Sequence, residues 1–250
     1  PDTTGDVGPT QFLQAVNTSV AIYDKITGSR LKQQTFDSFM QAAGQSASAP
    51  CGSQNYGDPV VVFDNLATRW VVLDFAFSSR YVPSYFCVAV SDTSDAMGTW
   101  KSYQITASTK ALADYPKIAS TPAGIVISAN MFANGRTYSG VNVWILDRTS
   151  LFSGSLLKSI VFTLGNAYFS LMPVNVRFPS GGIWSNNMGY LLSDYSLLGA
   201  MRIFQFTPPN FSGGTNKLNT YTVTIPSYTS FTSRVPLYQG ENVDSLGDRL

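Results

Sequence analysis

The sequence predicts an all-β fold, namely a β-propeller whose blades are four-stranded antiparallel sheets. Short runs of β-branched and aromatic residues recur between turns rich in Gly, Pro, Asn and Asp, which is typical of antiparallel meanders. No stretch combines a 3.6-residue apolar period with helix caps, and the best helical candidate, residues 36–43, is short. Pro9, Pro59, Pro116 and Pro173 each precede a group of strands and are spaced by 50, 57 and 57 residues. Propeller blades repeat at about this period.

Each repeating unit contains four strands, and the second unit shows them most clearly. Its strands are expected at residues 60–64, 70–77, 85–90 and 100–105. The third and fourth units follow the same order, whereas the inner strand of the first unit is poorly marked. We expect blades near residues 1–50, 51–110, 111–168 and 169–236, with 237–250 as the start of a further blade or a tail. A β-sandwich would explain the short strands equally well, but it would not explain the regular prolines.

The charge and composition exclude several classes of function. Lys and Arg number 16 and Asp and Glu 15, so a net charge of +1 leaves no electrostatic footprint for nucleic acid. The chain has no histidine, which excludes Ser-His-Asp and Cys-His nucleophilic sites and His-ligated zinc. No apolar run approaches the roughly 18 residues of a membrane helix, so no membrane span is expected. We expect no cofactor and no metal.

Three stretches, at residues 7–17, 57–64 and 114–117, resemble exported bacterial-type β-propeller proteins described as sialidase-like or integrin-like. The resemblance covers nearly the whole chain and rests on structural motifs, so it implies a propeller that is secreted or attached to the cell surface. We therefore expect that an export signal has been removed before Pro1. Residues 244–250 resemble the first strand and turn of another blade, which predicts a propeller that is incomplete at its C-terminal end, with an open sheet edge.

Two cysteines, Cys51 and Cys87, lie 36 residues apart within the second expected blade. Strands of one blade can bring Cα atoms to bridging distance, and the resemblance implies an oxidising compartment, so we expect a disulfide. Two separate buried thiols are the alternative. Asn17 and Asn210 each begin an Asn-X-Ser sequence, the acceptor motif for N-glycosylation.

Asp58 and Asp114 are the candidate ligand residues, because each stands where an inner strand begins. In a propeller such residues surround one end of the central channel, where converging carboxylates bind a cation or a polar ligand. The alternative is that each carboxylate only caps its own turn. No residue is assigned a catalytic role, since the single Glu, Glu241, lies near the end of the chain and the arginines are scattered.

These features favour a non-catalytic extracellular propeller that acts as a structural, adhesive or assembly module at a cell surface. Such a module would bind a protein partner, or assemble with itself, through its open blade edge or its loops, and a glycan is a further candidate partner. The alternative is a secreted glycoside hydrolase or a glycan-binding propeller. A hydrolase would need two carboxyl groups that converge in one cleft.

Overall fold

The computed structural model describes residues 2–177, 187–194 and 199–227 of the chain. Within them lie sixteen β-strands and three short helices. The strands are β1 (Thr4–Val7), β2 (Gln11–Val16), β3 (Ser19–Asp24), β4 (Arg30–Thr35), β5 (Asn55–Asp64), β6 (Arg69–Phe77), β7 (Ser84–Ser91), β8 (Trp100–Ser108), β9 (Ala111–Thr121), β10 (Gly124–Ala133), β11 (Thr137–Leu146), β12 (Ser159–Leu164), β13 (Met172–Pro173), β14 (Gly189–Asp194), β15 (Ala200–Phe206) and β16 (Leu218–Thr224). The helices are α1 (Phe36–Ala42), α2 (Pro50–Ser53) and α3 (Arg148–Ser153).

The strands form four separate antiparallel sheets of four consecutive strands each. Sheet 1 contains β1–β4, sheet 2 contains β5–β8, sheet 3 contains β9–β12 and sheet 4 contains β13–β16. The first strands of neighbouring sheets contact one another, β1 with β5, β5 with β9 and β9 with β13. The first strand of each sheet is therefore the inner one, and the prediction of an all-β propeller with four-stranded blades is confirmed. The expected blade limits stay predictions, and residues 237–250 lie outside the described part.

Successive sheets pack face to face because both faces of the middle sheets are apolar. Along β6, Trp70 and Val72 are buried against sheet 1, whereas Val71 and Leu73 are buried against sheet 3. This alternation follows the two-residue period of a strand. A third apolar cluster joins sheet 3 to sheet 4, where Phe204 is fully buried. Because sheet 2 is covered on both faces, the arrangement is a radial stack rather than a two-sheet sandwich.

Polar contacts connect the sheets at the end where the inner strands finish. Asp6 of β1 accepts a 2.6 Å hydrogen bond from the backbone N–H of Phe63 in β5, and it also pairs with the Arg177 guanidinium. Arg177 follows β13, so this ion pair connects the segment after the inner strand of sheet 4 to sheet 1.

No helix in the described part of the chain is long and apolar enough to span a bilayer.

Candidate functional site

The inner strands begin at the opposite end of the stack, and each of the four has a residue in the left-handed backbone region either just before it or within its first half. These residues are Asp2, Asp58, Tyr115 and Ser170, with φ of 42°, 48°, 52° and 48°. They recur every 55 to 57 residues, one per sheet. Left-handed non-glycine residues are strained and concentrate at functional sites. The repeat therefore marks this end of the stack, which we call the channel mouth, as the candidate site.

The sheet register explains how these residues come to face the mouth. In β5, Gly57 pairs with Phe75 and Val60 pairs with Leu73, so two residues of β5 oppose a single residue of β6. The same irregularity recurs in β9, where Asp114 pairs with Asn130 of β10. Such bulges bend a strand and redirect its side chains.

A cavity of about 290 Å³ opens at the channel mouth. Its walls come from the segment before and within β1, from β5 and from β9. The lining residues are Asp2, Thr3, Thr4, Asp58, Pro59, Val60, Tyr115 and Lys117. The sequence-based candidate Asp58 thus lies in the cavity wall. Asp114 is not part of that wall, but its charge acts on Asp58.

The Asp58 carboxyl has an unusual acidity for its type. Burial and, after it, the neighbouring carboxyls of Asp114 and Asp2 raise its pKa to about 6, while Lys117 opposes them. Asp2 is also a hydrogen-bond partner of the Asp58 side chain. Like charges held together favour protonation of one member of the group. Asp58 is therefore a carboxyl that carries a proton in weakly acidic solution.

Lys117 is the cation of the cavity. Burial lowers its pKa to about 8, although the carboxyls of Asp58, Asp2 and Asp114 act in the opposite direction. Its Nζ lies 3.0 Å from the centroid of the Tyr115 ring, within cation–π range. The cavity thus presents a proton donor, ionisable carboxyls and an ammonium group around one small volume.

Sequence reasoning missed Asp2 and Lys117. The Asp-Pro and Asp-Tyr-Pro sequences pointed to Asp58 and Asp114, whereas Asp2 precedes no proline and Lys117 follows one. The recurrence of a left-handed residue near each inner strand could have identified Asp2, but the sequence does not show backbone angles. Within the three described ranges, no group of three or more Asp, Glu or Cys side chains could hold a metal ion.

The disulfide predicted from the sequence is present. Cys51 in α2 and Cys87 in β7 are both fully buried and joined by an S–S bond of 2.00 Å, with their Cα atoms 5.3 Å apart. The Cys51 N–H also donates to the side-chain oxygen of Gln104 at 3.1 Å. The bridge thus ties α2 to sheet 2 beside the inner strand that carries Asp58.

The two glycosylation sequences lie in different settings. Asn17 is half-buried in the turn between β2 and β3, and its Oδ1 accepts a 3.3 Å hydrogen bond from the Asp58 N–H. Asn210 is exposed in the loop between β15 and β16, where its Oδ1 accepts from the Ser212 N–H at 3.0 Å. Glycosylation at either residue stays a prediction.

No family model matches the chain, and no curated protein matches it. Solved structures are similar to it at low identity. An exo-β-1,3-galactanase from Phanerochaete chrysosporium with galactose is 13% identical, with a TM-score of 0.46 over 86% of this chain and 49% of that one. A GH43 endo-arabinanase from Bacillus licheniformis is 13% identical, with a TM-score of 0.40 over 99% of this chain and 76% of that one. An arabinanase from Bacillus subtilis is 15% identical, with a TM-score of 0.39 over 82% and 71%. This chain spans about half the length of the galactanase structures.

Two expectations from the sequence need correction. The expectation of a non-catalytic structural or adhesive module is wrong, because the solved structures similar to the chain are glycoside hydrolases. The resemblance to sialidase-like or integrin-like propellers extends to the propeller fold and not to that family. Identities of 13 to 15% carry no information on the substrate of this chain, which depends on its own residues.

Proposed function

We propose that this chain is the propeller part of a secreted glycoside hydrolase whose active site is the cavity at the channel mouth. The observation that supports this most directly is Asp58, a cavity carboxyl with a pKa of about 6 and with further carboxyls beside it. Glycosidic cleavage commonly uses one carboxylic acid that protonates the leaving oxygen and a second, ionised carboxylate. A carboxyl with a raised pKa that lies beside other carboxyls can supply the acid of such a pair.

In this proposal Asp58 is the general acid, and the second carboxyl comes from its neighbours. After burial, Asp114 has the largest effect on the pKa of Asp58, followed by Asp2. Asp2, which lines the cavity and accepts the hydrogen bond of protonated Asp58, is placed to act as the base or the nucleophile, whereas Asp114 lies outside the wall and acts through its charge on Asp58. Lys117 opposes the rise in the pKa of Asp58. Asp58 can therefore give its proton to the leaving group and take up another from water before the next cycle.

The cavity suits a sugar ring in size and polarity. Ligand pockets commonly begin at about 300 Å³, which this cavity approaches. Val60 and Pro59 supply apolar surface for the C–H face of a ring, and Thr3 and Thr4 add hydroxyl-bearing residues to the lining. The buried Cys51–Cys87 disulfide supports secretion, since such bridges persist in oxidising compartments.

The proposal is tested by measuring reducing ends released from a panel of polysaccharides that includes β-1,3-galactan, arabinan, xylan and β-glucan. We expect turnover of at least one polymer at pH 5 to 6, a loss of about 10²- to 10⁴-fold in Asp58→Asn and Asp2→Asn, and a smaller loss in Asp114→Asn. Asp92→Asn is the matched control, because Asp92 pairs with Lys101 in the β7–β8 hairpin, outside the cavity. Full activity of Asp58→Asn would contradict the assignment of the acid. Binding of a polymer with no turnover would point to a glycan-binding propeller instead.

A further inference from the structure

The turn that carries Asp58 has an unusual backbone. Gly57 and Asp58 both lie in the left-handed region, with φ of 119° and 48°. A Cβ at Gly57 would stand 3.1 Å from the Asn17 side chain, so a glycine allows sheet 1 to approach this turn closely. Two consecutive left-handed residues need surrounding groups that hold them in place.

Asp74 holds this turn from behind, within sheet 2. Its side chain is fully buried, and its Oδ1 accepts hydrogen bonds from the N–H groups of Gly57 at 3.1 Å and Phe75 at 2.8 Å. Burial raises the pKa of Asp74 well above its ordinary value, and the carboxyls of Asp58 and Asp37 raise it further. Asp74 thus serves as a buried hydrogen-bond acceptor for this turn.

The second oxygen of Asp74 lowers the stability of the folded protein. Asp74 Oδ2 is buried and has no hydrogen-bond partner among the described residues. A buried polar atom without a partner destabilises a protein, and an apolar side chain would avoid this. A polar residue at this position is explained if its other oxygen is needed at Gly57.

Asn17 holds the same turn from the neighbouring sheet. Its Oδ1 accepts the Asp58 N–H at 3.3 Å, across the interface between sheets 1 and 2. The N–H groups of both left-handed residues are thus bonded by side chains, one from each sheet. Neither Asn17 nor Asp74 lines the cavity, so each can act on a bound sugar only through Asp58.

We propose that Asn17 and Asp74 are positioning residues that together hold the Asp58 carboxyl in its partly buried place at the channel mouth. Calling this carboxyl the acid of a hydrolase rests on the proposed function, whereas its positioning does not. The two side chains fix the N–H groups of consecutive residues, so the loss of either one frees the turn to move towards water. A more hydrated carboxyl beside Asp2, Asp114 and Lys117 ionises more readily.

The test is a ¹³C NMR titration of the aspartate carboxyls without any substrate, with the Asp58 signal assigned from Asp58→Asn. In Asn17→Ala and Asp74→Ala, we expect the pKa of Asp58 to fall by about one unit towards its ordinary value. Asp74→Asn keeps an oxygen in the acceptor position and is neutral, so it should leave the pKa close to that of the parent protein. The control is Val20→Ala, which weakens the packing of sheets 1 and 2 without touching the turn.

The outcomes separate positioning from general support of the fold. An unchanged Asp58 pKa in both alanine variants overturns the proposal, and so does a fall in Val20→Ala as large as theirs. If Asp74→Ala does not fold, Asn17→Ala decides the question, since Asn17 lies in a half-buried turn. Because the titration uses no substrate, inactivity on every polysaccharide would contradict the proposed function but would not affect the conclusion on how Asp58 is positioned.

Discussion

Asp64 and Arg148 form a buried link between the second and third sheets. The Asp64 carboxylate is fully buried at the end of β5 and accepts a 2.8 Å hydrogen bond from Nε of Arg148, at the start of α3. The same guanidinium donates to the Ser120 hydroxyl at 3.0 Å and to the Thr121 carbonyl at 2.6 Å, both in β9. One arginine therefore joins two inner strands at the end of the stack opposite the cavity.

Removal of this arginine is expected to destabilise the protein strongly. Arg148→Ala leaves the buried Asp64 carboxylate without its counter-charge, which typically costs about 3–5 kcal/mol. The comparison is Lys101→Ala, which breaks the more exposed Lys101–Asp92 pair and should cost about 0–1 kcal/mol. Urea denaturation measures both. Equal losses in the two variants would mean that Arg148 is not a link between sheets.

The raised pKa of Asp58 predicts a pH-dependent stability. Since the folded protein binds this proton more tightly than the unfolded chain does, the stability from Asp58 is complete below pH 3.8 and is lost as the pH rises through about 6. Asp58→Asn should therefore raise the melting temperature at pH 7 and leave it unchanged at pH 3.

Asp24→Asn provides a control of opposite sign. The N–H and hydroxyl of Thr27 and the N–H of Ile26 lower the pKa of Asp24, so its contribution is present above pH 3.8 and lost as the pH falls. This variant should lower the melting temperature at pH 7, with an effect that disappears in acid. The same direction of change at pH 7 in both variants would be inconsistent with the two environments.

Loss of the disulfide should weaken the fold without removing a charge or a cavity wall. The bridge spans 36 residues, for which the chain-entropy model gives about 3–4 kcal/mol. Cys51→Ala with Cys87→Ala should lower the urea midpoint accordingly, with the far-ultraviolet circular dichroism preserved. If the double variant is as stable as the parent protein, the bridge does not stabilise the fold by restricting the unfolded chain.

Phe86 tests the packing between sheets 2 and 3. It is fully buried and meets Trp144 edge to face, with ring centroids 4.7 Å apart. Phe86→Ala should cost about 3–5 kcal/mol, as large-to-small substitutions in a core do. Tyr221→Ala is the control, because Tyr221 is 49% exposed on β16. A small effect of Phe86→Ala would indicate that these two sheets do not share a core.

The sequence predicts the stacked four-stranded sheets because apolar alternation and turn residues act locally along each strand. The same local signals predict that Cys51 and Cys87 lie within bridging distance, whereas they place Asp58 at the start of an inner strand although β5 begins earlier, at Asn55. Lys117 and Asp74 were missed because their roles depend on bulges and on burial between sheets, which no local pattern reports. The fourth unit shows the same limit, since its inner strand is only Met172–Pro173.

The central claim, that Asp58 is the proton donor of a glycoside hydrolase, is tested most directly by the pH dependence of polysaccharide cleavage. We expect kcat/KM on the best polymer of the panel to fall as the pH rises through about 6, where Asp58 loses its proton. Asp58→Asn should lack this alkaline limb as well as most of the activity. A rate that stays level from pH 5 to pH 8, or an Asp58→Asn variant with the parent profile, would contradict the claim.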